Sequence, residues 1–390
     1  MSHKLIGKNT KEQNEAVLKE SLWRSEGEKA CIDEMQSKFG VDIRDEKAFP
    51  VMKPGFFKEA QKKLRESDSV TAFPGVLRAG VQSIVNSIYE SVPVTFSDWA
   101  HAVTSTKLEE LYAPIQGIGF PSQIGEAEVY PEVGAAGLDL KLRNRKFGTM
   151  FAVNRELMDF DQTGQFQKQA GLLGEYAKQV LEVYCYGKLA SVAGAKYAGI
   201  TVPVSETKPA DEATYPWSTA LIGGGKTRPV AYGALNQGNI QNGIIALMNQ
   251  LNLLGLKMSV NPKRLLISPH YRFDAAVLLN SGWYPTGAAS GTTGSVGAIN
   301  PLQGILDLTS SRFMFDQSGS VNASSKAWYI VDDSKPFFVC QVHTPAEVQL
   351  ENPASGQSFD RDIVRFKLRV VANADFIDPR FAWQGSNGSV

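Results

Sequence analysis

Two neighbouring stretches in the first half of the chain alternate polar and apolar residues with a period of two. The first stretch spans 126–133 and the second spans 138–145. This period is typical of strands that have one wet face and one buried face, and the glycines at both ends of 134–137 indicate a chain reversal between them. The pattern therefore predicts a β-hairpin over residues 124–145.

The predicted hairpin has a charged face and an apolar face. In the expected register Glu128 lies opposite Arg143 and Glu126 lies opposite Arg145, and such cross-strand pairs contribute only about 0.2–1 kcal/mol each. A two-stranded ribbon is marginal in water, so its leucine face requires cover from the same chain or from a neighbouring chain. The candidate inter-subunit contact residues are Glu126, Glu128, Glu132, Leu138, Leu140, Lys141, Leu142, Arg143 and Arg145.

The remaining apolar positions predict a mixture of helices and strands, so the expected fold class is α+β. The longest helix is predicted over 165–193, where six apolar side chains recur at steps of three and four residues. Shorter helices are predicted at 76–89, 240–254 and 270–280, and strands at 147–153, 264–268, 312–315, 327–331, 337–342, 346–350 and 362–371.

The first 68 residues are far more polar than the rest of the chain, since 27 of them are Lys, Arg, Asp or Glu. Their pattern predicts solvated amphipathic helices at about 11–39 and 55–67. Large apolar residues are too sparse there for an independent core. We therefore expect an arm that lies on another surface.

Composition narrows the functional classes. The 390 residues include 40 basic and 40 acidic side chains, so no net charge favours nucleic acid or an anionic membrane. No apolar run approaches the ~20 residues that span a bilayer. The three cysteines lie far apart and are odd in number, which argues against a disulfide framework. We expect a soluble protein made in a reducing compartment, with no membrane partner.

The candidate catalytic and ligand-binding residues are weak. The segment 223–227 ends like a phosphate-binding loop, but Ala220 occupies the position where the motif requires glycine. His270 and His343 have no Cys, His or carboxylate at metal-ligand spacing. Cys185 falls within the long helix and is expected to be a buried packing thiol. The sequence therefore predicts no catalytic residue, no cofactor and no metal.

Several segments, in their order along the chain, resemble the major capsid proteins of tailed bacteriophages, whose fold is named after phage HK-ninety-seven. The resemblance covers about residues 72–383. It rests on 92–96 followed by 105–107, the hairpin region 124–153, 154–157 followed by 159–161, 264–269 and 371–381. The hairpin resembles the extended loop of that family, and the helix at 165–193 resembles its spine helix.

The resemblance implies a division of the chain into parts. These are an N-terminal helical arm at 1–71, a peripheral domain beginning at 72–117, an extended β-hairpin loop at 118–153, the peripheral domain with the spine helix at 154–230, an α/β axial domain at about 231–345, and return strands of the peripheral domain at 346–390.

In that family the protein is a structural subunit and not an enzyme. The resemblance implies self-assembly, through hexamers and pentamers, into an icosahedral head that encloses double-stranded DNA, with location in the virion after assembly in the host cytoplasm. Expected partners are other copies of the chain, a portal protein, scaffolding or decoration proteins, and packaged DNA bound without sequence preference. Two alternatives remain open: an encapsulin-type nanocompartment shell, and a nucleotide-binding enzyme that uses the loop at 223–227.

Overall fold

Helices and strands are interspersed along the whole described part of the chain. The computed structural model describes residues 73–112, 140–154, 165–192, 194–206, 217–218, 228–251, 256–285, 297–316, 318–321, 326–351 and 363–386. The predicted N-terminal arm, the strand predicted at 126–133 and the loop at 223–227 lie outside these residues.

The helices are α1 (Phe73–Ser91), α2 (Gln165–Ala190), α3 (Gln237–Met248) and α4 (Arg272–Asn280). The strands of the first half are β1 (His101–Thr104), β2 (Glu109–Tyr112), β3 (Leu140–Arg143), β4 (Arg145–Asn154), β5 (Lys196–Tyr197) and β6 (Ile200–Thr201). Those of the second half are β7 (Trp217–Ser218), β8 (Arg228–Tyr232), β9 (Arg264–Ile267), β10 (Trp283–Pro285), β11 (Gly297–Ile299), β12 (Asp307–Ser310), β13 (Ala327–Val331), β14 (Phe338–Leu350), β15 (Ile363–Phe376) and β16 (Ala382–Ser386). Short 3-10 turns lie at Phe96–Asp98, Pro269–Tyr271 and Pro379–Phe381.

The long helix α2 confirms the prediction for 165–193. Its 26 residues correspond to a length of about 39 Å. It packs against α1, whose Val81, Val85 and Tyr89 recur every four residues and are all buried. Gly174 lies at the crossing point, where a Cβ atom would collide with the backbone of Val85. A glycine at this position therefore allows the two helices to approach closely.

A four-stranded sheet packs against both helices, because α2 contacts β14 and β15 and α1 contacts β14. Its strand order is β1-β14-β15-β4, and all neighbours are antiparallel except β1 and β14. Phe366, Leu368 and Val370 of β15 point into the core. The centroid of the Phe366 ring lies 5.0 Å from that of Phe151 and 5.7 Å from that of Phe166. The strands predicted at 147–153 and 362–371 are confirmed, while those predicted at 337–342 and 346–350 form one strand with register shifts.

A six-stranded sheet forms the second half of the fold, with the order β12-β9-β13-β16-β8-β7. Helix α3 begins after Asn236, whose side chain accepts a hydrogen bond from the backbone N–H of Asn239 (2.8 Å), and it packs on β13 and β16. The last strand, β16, thus joins this sheet, although the sequence grouped 346–390 with the peripheral domain. Among the described helices, none is long and apolar enough to cross a membrane.

The strand predicted at 312–315 is wrong, because the strand that pairs with β9 is β12, a few residues earlier. Phe313, Met314 and Phe315 are buried in the core without belonging to a strand. A short apolar run indicates burial, but it does not by itself distinguish a strand from an irregular buried segment.

A buried ion pair joins α2 to β15. Lys188 Nζ lies 3.0 Å from Asp375 Oδ2, and both side chains are fully buried. Asp375 also accepts hydrogen bonds from the Ser205 hydroxyl (2.7 Å) and the Glu206 backbone N–H (2.6 Å). Glu206 in turn pairs with Arg145 of β4. The network therefore ties the helix, two strands and the 205–206 segment together.

We expect Lys188→Met to lower the free energy of unfolding by about 3–5 kcal/mol, because it leaves Asp375 as a buried charge without its cation. Urea denaturation of the unassembled chain measures this loss. The double variant Lys188→Met with Asp375→Asn should lose less unfolding free energy than the two single variants lose in sum, and the difference should be roughly 0.5–3 kcal/mol. The matched control is Lys168→Met, an exposed lysine of the same helix, and an equal loss there would contradict the role of the buried pair.

The free energy of unfolding should depend on pH through His101 of β1. Burial lowers the pKa of His101 to about 4, so its ring stays neutral in the folded protein where the unfolded chain takes up a proton. The free energy of unfolding should therefore be unaffected by this group above about pH 6.5 and should fall, by at most about 3 kcal/mol, between about pH 6.5 and pH 4. Denaturation at several pH values measures it, and His101→Gln should remove this part of the decline. Parallel profiles for the two proteins would contradict the assignment.

Candidate inter-subunit surfaces

The segment 113–139 is attached to the fold at a short strand pair. Strand β2 pairs antiparallel with β3, so that Glu109 lies opposite Arg143 and Tyr112 lies opposite Leu140. The 27 residues between Tyr112 and Leu140 therefore leave and re-enter the described fold at adjacent positions. The two strands form the base of the region predicted as an extended hairpin.

A chain of buried hydrogen bonds holds this base on β14. The Tyr112 hydroxyl donates to Gln341 Oε1 (2.8 Å), and Gln341 Nε2 donates to Asn144 Oδ1 (2.9 Å) and to the Leu142 carbonyl (3.1 Å). Asn144 Nδ2 donates in turn to the Ser105 hydroxyl (2.8 Å). Burial raises the pKa of Tyr112 and thereby keeps its hydroxyl protonated as a donor. Paired buried polar groups of this kind fix one geometry, so the base is rigid.

The leucine face of the predicted hairpin is covered by its own chain over the described residues. Leu140 and Leu142 are buried together with Tyr112, Val339 and Ile377. The expectation that these two leucines contact a neighbouring subunit is therefore wrong, because the ends of β14 and β15 already exclude water from them. Leu138 lies outside the described residues.

The charged face also differs from the expected register. Arg143 lies opposite Glu109 instead of Glu128, and Arg145 lies opposite Ala372 while its guanidinium pairs with Glu206. Partial burial is the largest single influence and lowers the pKa of Arg145, but the hydrogen bond to Glu206 and the nearby acidic groups, Asp375 among them, together raise it above its ordinary value.

The acidic residues of the predicted first arm, Glu126, Glu128 and Glu132, lie outside the described residues. Lys141, Arg143 and Arg145 are exposed, so they remain candidate contacts. The pairing strand β2 escaped the sequence analysis because four residues, Glu-Glu-Leu-Tyr, are too few to establish a period.

A second candidate surface consists of large apolar side chains that are exposed to solvent. Phe273 and Val277 lie one turn apart on α4 and are 81% and 56% exposed. Strands β10 and β11 form a two-stranded ribbon close after this helix, in which Trp283 (68% exposed) lies directly opposite Ile299 (79% exposed). We call these four residues the apolar patch. The sequence analysis missed it, because it predicted no strand between the helix at 270–280 and residue 312.

The ribbon and the helix are joined by backbone hydrogen bonds and by the side chain of Asn300. Asn300 Nδ2 donates to the carbonyl groups of Leu278 (2.7 Å) and Ser281 (2.8 Å) at the end of α4. The Asn300 side chain is buried, and its Oδ1 accepts from the Leu302 backbone N–H (3.0 Å). Both halves of the apolar patch are therefore carried on one rigid unit of the six-stranded half of the fold.

The described residues include few groups that could bind a metal ion or act as a nucleophile. No group of three His, Cys, Asp or Glu side chains within them is placed to hold a metal ion. Cys185 is buried as expected, and burial together with a hydrogen bond to Cys340 raises its pKa, which makes the thiol a poor nucleophile. His343 is exposed on β14, and His270 is exposed in the turn before α4.

Comparison with known proteins agrees with this architecture. A solved structure titled "Capsid of native GTA particle computed with C5 symmetry" is similar to the chain with a TM-score of 0.50 and 12% identity, over 76% of this chain and 90% of that one. A structure titled "Mycobacterium phage Cain" is similar with a TM-score of 0.45 and 16% identity, over 79% of this chain and 90% of that one. No protein with a curated description matches the chain.

A family model described as "Phage capsid protein" matches residues 140–384. This match spans more than half of the chain and contains both sheets except β1 and the final residues of β16. It also includes the long helix and the apolar patch. The chain therefore belongs to the phage capsid protein family, and it is a structural subunit of a capsid shell with an α+β capsid fold.

Proposed function

We propose that the chain assembles through hexamers and pentamers into the icosahedral head of a tailed phage, and that the apolar patch forms the contact within each ring. The observation that carries this proposal is the exposure of Phe273, Val277, Trp283 and Ile299. A shell subunit must contact other copies of itself, and large apolar side chains left in water mark such contacts.

The composition of the apolar patch suits a ring contact. Trp and Phe are enriched at the centres of protein interfaces, where a few buried aromatic anchors supply most of the binding energy. Fully burying one such side chain contributes about 1.5–3 kcal/mol. Because the patch sits on one rigid unit, little ordering cost opposes the association.

The two sheets support a division of the subunit into two domains. The four-stranded sheet with α1 and α2 corresponds to the peripheral domain expected from the sequence, and the six-stranded sheet with α3 and α4 to the axial domain. The base at β2 and β3 then carries the extended loop from the peripheral side. Four strands depart from the expected boundaries. Strand β14 begins before residue 346 but belongs to the four-stranded sheet, and β7, β8 and β16 belong to the six-stranded sheet although 154–230 and 346–390 are expected in the peripheral domain.

The remaining partners follow from the role in the shell. We propose that the inner surface meets packaged double-stranded DNA without sequence preference, and that a portal protein and scaffolding or decoration proteins contact the shell. Assembly takes place in the host cytoplasm, and the subunit performs no catalysis. The described residues contain no observation that favours an encapsulin-type compartment, and the loop at 223–227 lies outside them.

Electron microscopy of the purified full-length chain tests the assembly itself. Negative-stain images should show closed shells of uniform diameter, with fivefold and sixfold rings on their surface, because identical subunit contacts repeat under symmetry. Images that show only single subunits across a range of salt and protein concentrations would contradict the proposed function.

We expect Phe273→Asp combined with Trp283→Asp to prevent shell formation, since the two changes place charges in the apolar patch. The effect on the folded subunit should be small, within about 0.5 kcal/mol, because both side chains are exposed. Sedimentation measures assembly, and urea denaturation measures stability. The matched control Phe273→Leu keeps an apolar side chain and should still assemble. Normal shells from the double aspartate variant would show that the patch is not the ring contact.

A further inference from the structure

The buried pair of Lys188 and Asp375 holds an amine against a carboxyl group away from water. Lys188 Nζ lies 3.0 Å from Asp375 Oδ2, and neither side chain is exposed. The same Nζ donates to the Val204 carbonyl (3.1 Å) and lies 5.8 Å from the centroid of the Tyr184 ring. Charges in such a place carry a desolvation cost that their attraction offsets only in part. An amide bond between the two side chains would remove both charges.

The two oxygens of Asp375 are held in different ways. Oδ1 accepts hydrogen bonds from the Ser205 hydroxyl (2.7 Å) and from the Phe376 backbone N–H (2.8 Å). Oδ2 faces Lys188 and accepts from the Glu206 backbone N–H (2.6 Å). Two donors directed at one oxygen stabilise the negative charge that develops there when an amine attacks the carboxyl carbon. This arrangement suits Oδ1 as the oxygen that stays and Oδ2 as the oxygen that leaves.

A second carboxylate lies beside the amine. Glu206 Oε2 is 3.9 Å from Lys188 Nζ, while Oε1 of the same side chain pairs with Arg145. The Glu206 side chain is 26% exposed, so it connects the buried pair with solvent. An ammonium group must lose a proton before it can act as a nucleophile, and a carboxylate within reach can take that proton. Glu206 also lies where a released water molecule can leave.

We propose that Lys188 and Asp375 condense into an amide bond within the folded chain, with Glu206 as the residue that relays the proton. The ion pair is the state that precedes this reaction. Lys188 loses a proton, which passes through Glu206 to Asp375 Oδ2 and leaves a neutral amine beside a neutral acid. Nζ then attacks Cγ, a second proton moves from Nζ to Oδ2, and the Cγ–Oδ2 bond breaks. One water molecule leaves, and no oxidant or cofactor is consumed.

The fold supplies what this reaction requires. Two groups held in contact react as if each were present at very high concentration, because their translational and rotational entropy is already lost. The bond would join positions 187 residues apart and tie α2 covalently to β15. It forms once in each chain, so no substrate is turned over. The reaction lies within one subunit and therefore does not depend on assembly.

The mass of the purified full-length chain tests the proposal. After denaturation the chain should be one water molecule lighter than its sequence, both before assembly and in shells. After digestion with trypsin, the peptide that contains Lys188 should stay joined to the peptide that contains Asp375. A chain at its full sequence mass, with the two peptides separate after long incubation of the folded protein, would overturn the proposal.

Two lysine variants show which amine reacts. Lys188→Arg keeps a cation but removes the nucleophilic amine, so this chain should retain its full mass. The matched control is Lys178→Arg, because Lys178 is also a buried lysine of α2 but donates to the Glu90 carbonyl. The control should still lose one water molecule. Loss of water that persists in Lys188→Arg belongs to another site, such as a cyclised aspartate, and would refute the assignment.

A stability measurement does not distinguish the amide bond from the ion pair, since Lys188→Arg disturbs both. If this variant fails to fold, the joined peptide from the wild type remains the deciding observation. Its presence supports the amide bond and its absence contradicts it, because only a covalent bond survives denaturation and digestion.

The role of Glu206 is tested by the rate of the reaction. Glu206→Gln keeps the backbone N–H that binds Asp375 but cannot take a proton from Lys188. A short pulse of isotope-labelled methionine during expression marks chains of known age, and mass spectrometry follows the joined peptide in them. The joined peptide should form at least about tenfold more slowly in Glu206→Gln, and Glu206→Asp should restore part of the rate. Equal rates in all three chains would overturn the proton relay through Glu206.

Discussion

The packing of α2 against both α1 and the inner face of the four-stranded sheet constrains the rest of the subunit. Gly174 sets how closely the two helices approach, and the ring of Phe166 packs against the aromatic side chains of the sheet. Near the other end of α2, Lys188 is paired with Asp375 where neither charge reaches water. Because a buried pair tolerates few alternative geometries, the helix and the strands are fixed in one relative position.

Charged and apolar side chains are exposed on different surfaces of the subunit. The apolar residues of β15 lie on the inner face of the four-stranded sheet. The residues of β15 that alternate with them therefore place charges on its outer face. The six-stranded half leaves apolar side chains in water at α4 and at the β10–β11 ribbon. Apolar burial supplies most of the affinity of an interface, whereas complementary charges contribute more to register and to the rejection of wrong partners. A shell subunit requires both, since each copy must join its neighbour tightly enough and in one orientation only.

Much of the fold could be predicted from periodicity, and the failures have physical causes. The stripe at 165–193 and the strand at 327–331 are long or strongly patterned, and the structure confirms both. The alternation of Leu140 and Leu142 predicts a buried face correctly, but alternation does not indicate which chain provides the cover. The partner of that strand is Glu109–Tyr112, which lies 27 residues away and is too short to show a period. The apolar patch has no pattern in sequence, because its two halves come from a helix and a ribbon that only the fold brings together.

The rigid base beneath the 113–139 segment bears on how weak contacts can still define a shell. Gln341 and Asn144 hold β2 and β3, the strands that flank this segment, at one place on β14. A contact that is carried on a rigid attachment loses less conformational entropy on binding, so individually modest interactions suffice to hold it. Weak individual contacts also allow a misplaced subunit to dissociate before its neighbours lock it in, because affinity differences lie mostly in the dissociation rate. A rigid attachment combined with individually weak contacts is therefore better suited to ordered assembly than a strong contact on a loose attachment.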